Sequence, residues 1–562
     1  MSSERRKTQQ LTRQPYYRTS DLGAPNVDAA IGNPLKGLAG GPRYSQNSPL
    51  PSSVPSAIEF YNVGFDEIMI GNNLFNWTVH EKLLQESASR KMHAVLSVFI
   101  HWPGRELRLA PHLRDIPLFD TANGGKSPNY GEARLLTALE QFIVAWGKRS
   151  DGDTRIAAIH VGLLGFWGEG HTFPDSTLVP ESSKVSVAKW YRQSFRTTQI
   201  QARYPGPNAV GFGLYDGSLA YSTLDGAANG GKNVIWFTYR QMLGAKQTDI
   251  WKSNIMGGET RPELQKNIFT DTYPARSEYH QDYKECIDAL HISYALHHDA
   301  FQNGGYTGSM LQNAKKIHAY MGYAFYVSEV AAYPSNISTT HSVDVSVDIT
   351  QLGVAPFYYD LSIVLECGNG VVKVKRPDVN AITEKGEYKT FSFQNIPATK
   401  ECLERVTLYL ESSYAYMGRP ILFAQGIDGK ISLSLPLPAP SALIPVANTT
   451  QPPVQRPISV PFQIPVTVPT LVHVPVTSHV RVPTVVISPT KSGTVTNRVP
   501  VNVPTPVVVA SPMRVVPSPL LVPPTRVSVQ APTIGTHAVG GSTKPSVFRI
   551  FLQRLFPQLQ FK

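Results

Sequence analysis

From about residue 26 to about residue 338, short β-rich apolar runs alternate with amphipathic helical stretches, and this alternation constrains the fold more than anything else in the chain. SAIEFYNVGF (56–65), HAVLSVFIHW (93–102), RIAAIHVGLLGFWGE (155–169), AVGFGLYD (209–216), SNIMGGE (253–259) and HISYALH (291–297) read as strands. Between them, NWTVHEKLLQESASRK (76–91), EARLLTALEQFIVAWGKR (132–149) and a stretch from Lys184 to Arg203 read as helices. In the second of these, Leu135, Leu136, Leu139, Phe142, Ile143 and Trp146 stand at helical spacing. Strands joined through helices of this length pair in parallel, and near-continuous apolar strands are covered on both faces. With NPLKGLAGG (33–41) as a weak first strand, the series becomes an α/β (β/α)8 barrel. The run ending at Glu169 is then its fourth strand, GFGLYD its fifth, NIMGGE its seventh and HISYALH its eighth. The sixth is expected somewhere within 218–245.

The period then changes from helical to two. HSVDVSVDI, FYYDLSIVLE, FSFQNI and RVTLYLESS alternate apolar and polar residues, as strands of an antiparallel β-sandwich do. From Pro436 onward the chain is low in complexity and holds 24 of its 46 prolines. Prolines at that density remove the donors a sheet needs, so an extended, disordered Pro/Val-rich tail is expected. The domain reading is a disordered start (1–25), a barrel (26–338), a sandwich (339–436), a Pro/Val/Thr-rich linker (437–545) and a short amphipathic end (546–562).

Charge follows the same division. The whole chain carries a net +11, but the ten Lys and Arg after Pro436 meet no acid there, leaving 42 basic against 41 acidic residues before it. The body is balanced, so no specific nucleic-acid binding is expected of it. The tail is read as a contact segment for a cell wall, a membrane surface or another protein. No run is long and apolar enough for a transmembrane segment, and the charged start has no apolar signal core. The compartment stays open, with an extracellular site requiring a start upstream of this one. Cys286, Cys367 and Cys402 lack zinc-site spacing. Cys367 and Cys402, in one β domain, are read either as a pair or as two buried thiols.

Glu169 stands between Gly168 and Gly170, straight after Phe166 and Trp167. A carboxylate beside an apolar run is costly unless something uses its charge, and flanking glycines let the backbone turn and a ligand approach. Glu259, in IMGGET, also directly ends a predicted strand, beside Gly257 and Gly258. Two carboxylates reaching one cleft are what hydrolysis of a glycosidic bond requires, one as proton donor and one as nucleophile or base. Glu169 is the one expected to carry the raised pKa. Trp102 and Trp167 offer flat faces on which sugar rings stack. His101, His171, Tyr215 and Asp216 complete the candidate substrate-binding set, with His171 placed to orient Glu169. The plainer reading is that either acid caps a helix or pairs with an arginine, Arg261 for Glu259. His297-His298-Asp299 reads as a surface turn rather than a metal site, and no metal or cofactor is called for.

NPLKGL, PNYGEARLL, IHVGLLGFWGEGHT and LGVAPFYYD together resemble a family of barrel proteins catalogued as a domain of unknown function within the glycoside hydrolase superfamily. The resemblance runs from about Asn33 to about Leu435. It implies a TIM barrel with an appended β domain, acting on a carbohydrate substrate or ligand. It implies Glu169 as acid/base at the fourth strand and Glu259 as the second acid at the seventh. The family box usually reads WGEW where Gly170 stands here, and better-known barrel glycosidases have Asn where this chain has Gly168. Two functions stay open: a glycoside hydrolase acting on an oligo- or polysaccharide, or a catalytically inactive carbohydrate-binding or surface protein with an extended stalk.

Overall fold

The computed structural model describes residues 14–41, 54–122, 125–302, 305–335, 341–416, 418–425 and 429–439. The linker and terminal segment expected after Pro436 lie, from residue 440 onward, outside the described residues.

Eight strands form one parallel sheet: Gly37–Ala39, Ile58–Gly64, His93–Phe99, Ile156–His160, Ile200–Ala202, Gly213–Leu219, Gly257–Thr260 and Tyr294–Leu296. They follow one another round the sheet in chain order, and the last pairs in parallel with the first. The remaining edges meet where Gly40 bridges Glu59 and the Phe60 amide donates to the Gly40 carbonyl at 2.9 Å. The sheet is therefore closed, and the fold is a (β/α)8 barrel.

The helices form where the spacing places them. Ala133–Ser150 starts where the Glu132 carboxylate accepts from the Arg134 amide, and it buries Leu135, Leu139, Phe142, Ile143 and Trp146 against the sheet. Lys148 and Arg149 stand in its last turn, where the helix dipole favours cations.

Two strand assignments change. No strand lies within 218–245; the missing one is Ile200–Ala202, inside the stretch read as a helix to Arg203. That helix runs only from Glu181 to Ser194. GFGLYD therefore belongs to the sixth strand, not the fifth. A three-residue strand is too short to show alternation, and its central residue, Gln201, is polar yet buried. The fourth strand also stops early, at His160, nine residues before Glu169.

Two antiparallel four-stranded sheets follow the barrel. One holds, in spatial order, Tyr17–Thr19, Phe325–Pro334, Ser342–Gln351 and Tyr388–Pro397; the other Val372–Arg376, Ser362–Cys367, Val406–Glu411 and Ile431–Leu433. Tyr17–Thr19 comes from the start expected to be disordered, and its residues pair with Val330 to Ala332. Period-two alternation buries Val343, Val345, Val347 and Ile349 on one face. Cys367 and Cys402 are joined by a disulfide, while Cys286 is a buried free thiol.

One apolar core runs from the barrel lumen (Phe60, Val95, Tyr215, Tyr294) into the sandwich (Phe357, Tyr359, Phe393, Leu408). The APFYYD segment is the plug between them. Tyr359 Oη donates to the Ala157 carbonyl at 2.8 Å and accepts from the Gln199 amide at 3.3 Å. The sandwich closes the N-terminal end of the barrel, which leaves the C-terminal mouth for chemistry. Among the described residues no helix is long and apolar enough to cross a membrane.

Candidate carboxylate site at the barrel mouth

Glu169 does not end a strand. It sits in a compact loop from Val161 to Gly170 in which Leu163, Gly165, Trp167, Gly168 and Gly170 all have positive φ, a run that no strand tolerates. The loop is pinned by backbone bonds, from the Trp167 amide to the His101 carbonyl (2.8 Å) and from the Phe166 amide to the His171 carbonyl (2.7 Å). The two glycines beside Glu169 serve different ends. A β-carbon at Gly168 would stand 3.1 Å from Gly162 Cα, so the loop folds on itself there. A β-carbon at Gly170 would meet nothing within 4 Å. Only Gly170 leaves open room beside the acid.

His171 holds Glu169 directly. The Phe173 amide donates to Nδ1 at 3.2 Å, which fixes the neutral ring's proton on Nε2, and Nε2 lies 3.2 Å from Glu169 Oε2. On the other oxygen, Arg203 Nε stands 3.6 Å from Oε1. Burial pushes the Glu169 carboxyl up, but Arg203, His171 and the more distant His160 outweigh it, and the net shift is downward. The acid expected to hold its proton is the ionised one.

Glu259 lies within the seventh strand, one residue from its end. Tyr215 Oη donates to its Oε2 at 3.4 Å, and His298 Nε2 approaches Oε1 at 4.0 Å. Burial raises its pKa to about 7, and the negative charge of Glu169 adds to the rise, against smaller opposing effects from Tyr215, Arg261 and Arg203. The raised pKa thus belongs to Glu259. Both side chains reach solvent, 25% exposed for Glu169 and 26% for Glu259. The mouth accordingly holds two accessible carboxyls whose proton affinities are shifted in opposite directions, Glu259 up and Glu169 down.

The other candidates divide. Tyr215 is buried between Phe60 and His160 and reaches Glu259 through its hydroxyl. Asp216, the next residue, falls on the opposite face of the pleat. It is buried, with Oδ1 accepting from the Ser218 amide (3.0 Å) and Oδ2 from the Thr223 hydroxyl (2.7 Å), so it is committed to the fold and not presented to a ligand. His101 is also buried, edge-on to Phe166 at 4.6 Å, and burial pushes its pKa down to about 4. Trp167 and Trp102 are half-buried, and the Arg105 guanidinium covers one face of Trp102 at 4.6 Å. His297 is a core residue, its Nδ1 2.8 Å from Thr260 Oγ1, rather than part of a surface turn. Among the described residues no group of three or more His, Cys, Asp or Glu is placed to hold a metal ion.

Three participants escaped the sequence reading. Arg203 looked like one more helical cation because the strand before it was missed; the β-branched pair Thr197-Thr198 after the helix was the available signal. His298 follows the eighth strand and faces Glu259. Gly217 matters by what it lacks. A β-carbon there would stand 2.8 Å from Glu169 Oε1 and 2.9 Å from Arg203 Nε, so the ion pair occupies the space a side chain would fill.

No family model matches the chain. No curated protein matches it either. Solved structures similar to it include the catalytic domain of β-amylase from Paenibacillus polymyxa, with 11% identity, 51% of this chain and 98% of that one covered, and a TM-score of 0.33. Endo-glycoceramidase II from Rhodococcus sp. is similar at 10% identity, covering 65% and 98%, with a TM-score of 0.31. Xylanase 10B from Thermotoga maritima is similar at 10%, covering 52% and 98%, with a TM-score of 0.30. The barrel assignment rests on the closed sheet and not on these likenesses.

Proposed function

We propose that this protein hydrolyses glycosidic bonds with Glu259 as proton donor and Glu169 as the ionised partner. The observation that carries the reading is the pair of accessible carboxyls at the barrel mouth, one raised to about 7 and the other lowered. Glycoside cleavage needs that combination: a proton passes from Glu259 to the leaving oxygen as the C1–O bond breaks. In the same step Glu169 either bonds to C1, giving a glycosyl ester that a water deprotonated by Glu259 then hydrolyses to free Glu169, or takes the proton of a water that attacks C1. His171 and Arg203 keep Glu169 ionised and oriented, and Tyr215 steadies Glu259. This assignment exchanges the roles that the family resemblance implies for the two acids.

Leaving-group dependence tests the exchange. A 2,4-dinitrophenyl glycoside departs without protonation, whereas an alkyl glycoside of the same sugar does not. Glu259→Gln is expected to keep much of its activity on the first and to lose it on the second, while Glu169→Gln fails on both. The opposite pattern assigns the donor role to Glu169. Binding of oligosaccharide without turnover of any probe would favour the carbohydrate-binding reading instead.

A further inference from the structure

His160 ends the fourth strand and stands beside both acids. Its ring lies 4.9 Å from Phe60 and 4.1 Å from Tyr215, whose hydroxyl reaches Glu259. The charge of Glu169 acts on it as well.

Two backbone carbonyls fix where its proton sits. Gln201 Nε2, on the fifth strand, donates to the Leu214 and Ile255 carbonyls, each at 3.2 Å, which leaves Gln201 Oε1 to accept. Tyr294 Oη, on the eighth strand, is 2.6 Å from that oxygen and must give it its one proton. Oη therefore accepts from His160 Nε2, 3.1 Å away. Burial pushes the His160 pKa down to about 3, against smaller upward effects of Glu169 and Gln201, so the ring is neutral and Nε2 holds its single proton. Nδ1 keeps a lone pair and can only accept.

Among the described residues nothing donates to Nδ1. His297, which serves the core, has a partner on each nitrogen, Thr260 and Tyr306. The unpartnered Nδ1 atoms of His80, His93 and His101 are enclosed, whereas His160, 9% exposed, keeps that edge open to solvent. The sandwich plugs the lower end of the barrel, so the opening faces the mouth.

We infer that His160 Nδ1 accepts a hydrogen bond from a hydroxyl of the sugar unit held at the two acids, so that the site requires a free hydroxyl at that position. The inference rests on the hydrolase reading for the bond that is cut, and on the fixed ring proton for the hydroxyl. A nearly buried acceptor is costly to leave without a donor, so a ligand that brings one is favoured over a ligand that brings a second acceptor.

The test uses the full chain with the methyl glycosides of glucose, galactose, mannose and xylose, and the monodeoxy and monofluoro derivatives of each. Neither hydrogen on carbon nor fluorine can donate. Affinity is measured by calorimetry in a Glu169→Gln background, and cleavage of the matching 2,4-dinitrophenyl glycosides with the unaltered protein. Replacing one particular hydroxyl, by either atom, is expected to weaken binding about tenfold. Two substitutions then separate the ring nitrogens. An asparagine amide oxygen falls where Nδ1 stands and gives up Tyr294; a glutamine amide nitrogen falls where Nε2 stands and leaves no acceptor at Nδ1. His160→Asn should keep the difference between parent and derivative, and His160→Gln should abolish it. The reverse pattern, a difference kept in both, no hydroxyl whose replacement matters, or no glycoside bound would each overturn the inference. Should His160→Asn fail to melt cooperatively, His160→Gln decides alone, and a difference retained there overturns it. Hydroxyl dependence that His160→Gln abolishes, with no glycoside cleaved, would uphold the contact and overturn the hydrolase reading alone; cleavage without that dependence would do the opposite.

Discussion

Gly217 leaves the space that Glu169 fills. A β-carbon at residue 217 would come within 2.8 Å of Glu169 Oε1, although Gly217 itself has no unusual backbone conformation. Gly217→Ala is therefore expected to fold, with a stability loss of about 1 kcal/mol or less. The end of a flexible side chain can yield, so Glu169 is displaced instead. A displacement of about 1 Å at a reacting group costs roughly 10- to 100-fold in rate. Steady-state kinetics beside a thermal melt checks this, and an alanine variant with unchanged kcat would show that Glu169 is not held where it acts.

Glu259 sets a pH window with a definite sign. Its folded pKa is about 7, against an ordinary 4.5, so the native state binds a proton that the unfolded chain has released between those values. Stability then falls as pH rises from about 4.5 to about 7, by at most about 3 kcal/mol. Glu259→Gln should flatten that slope and should be the more stable protein at pH 7.5. If Glu259 is the proton donor, activity should also decline above about pH 7 as it ionises. Denaturant midpoints across pH, for the unaltered protein and the variant, provide the measurement; parallel curves would rule out the raised pKa.

Tyr359 joins the sandwich to the base of the barrel. Tyr359→Phe keeps the ring and strips the Ala157 carbonyl and the Gln199 amide of their shared partner. The expected cost is about 1–3 kcal/mol, since a buried polar group left unpaired pays its desolvation penalty. Urea unfolding followed by tryptophan fluorescence should show the whole midpoint shift. An unchanged midpoint would mean that the plug contributes packing alone.

The disulfide between Cys367 and Cys402 closes a loop of 35 residues. Loop closure of that size is worth about 3–4 kcal/mol through restriction of the unfolded chain. Dithiothreitol should lower the denaturant midpoint of the sandwich, and alkylation without reductant should label Cys286 only, after unfolding. Three alkylated thiols in the unreduced protein would contradict the bond.

Much of the fold was legible because its signals are local. The apolar stripe of 132–149 and the strict alternation of 342–351 are readable from neighbouring residues alone. The fifth strand was not legible: three residues with a polar centre become a strand only because the fourth and sixth strands stand on either side. The fourth strand was read nine residues too long, since an apolar run such as VGLLGF looks alike in a strand and in a buried loop. In that loop the glycines, not the apolar residues, determine the path.

The sequence by itself determined the alternation of strands and helices, the switch to period two, the balanced charge of the body, and Glu169 and Glu259 as the acids to examine. The tertiary structure alone decided their charge states. A carboxyl's proton affinity is the sum of desolvation and every nearby charge, and for these two acids the deciding neighbours, His171 apart, come from the loops and ends of other strands. Arg203 and His171 surround Glu169 and hold it ionised, while Glu259 receives burial and the repulsion of Glu169. Asp216 was decided in the same way. One step along the pleat from Tyr215, a residue of the right chemistry turns out of the mouth, into hydrogen bonds that serve only the fold.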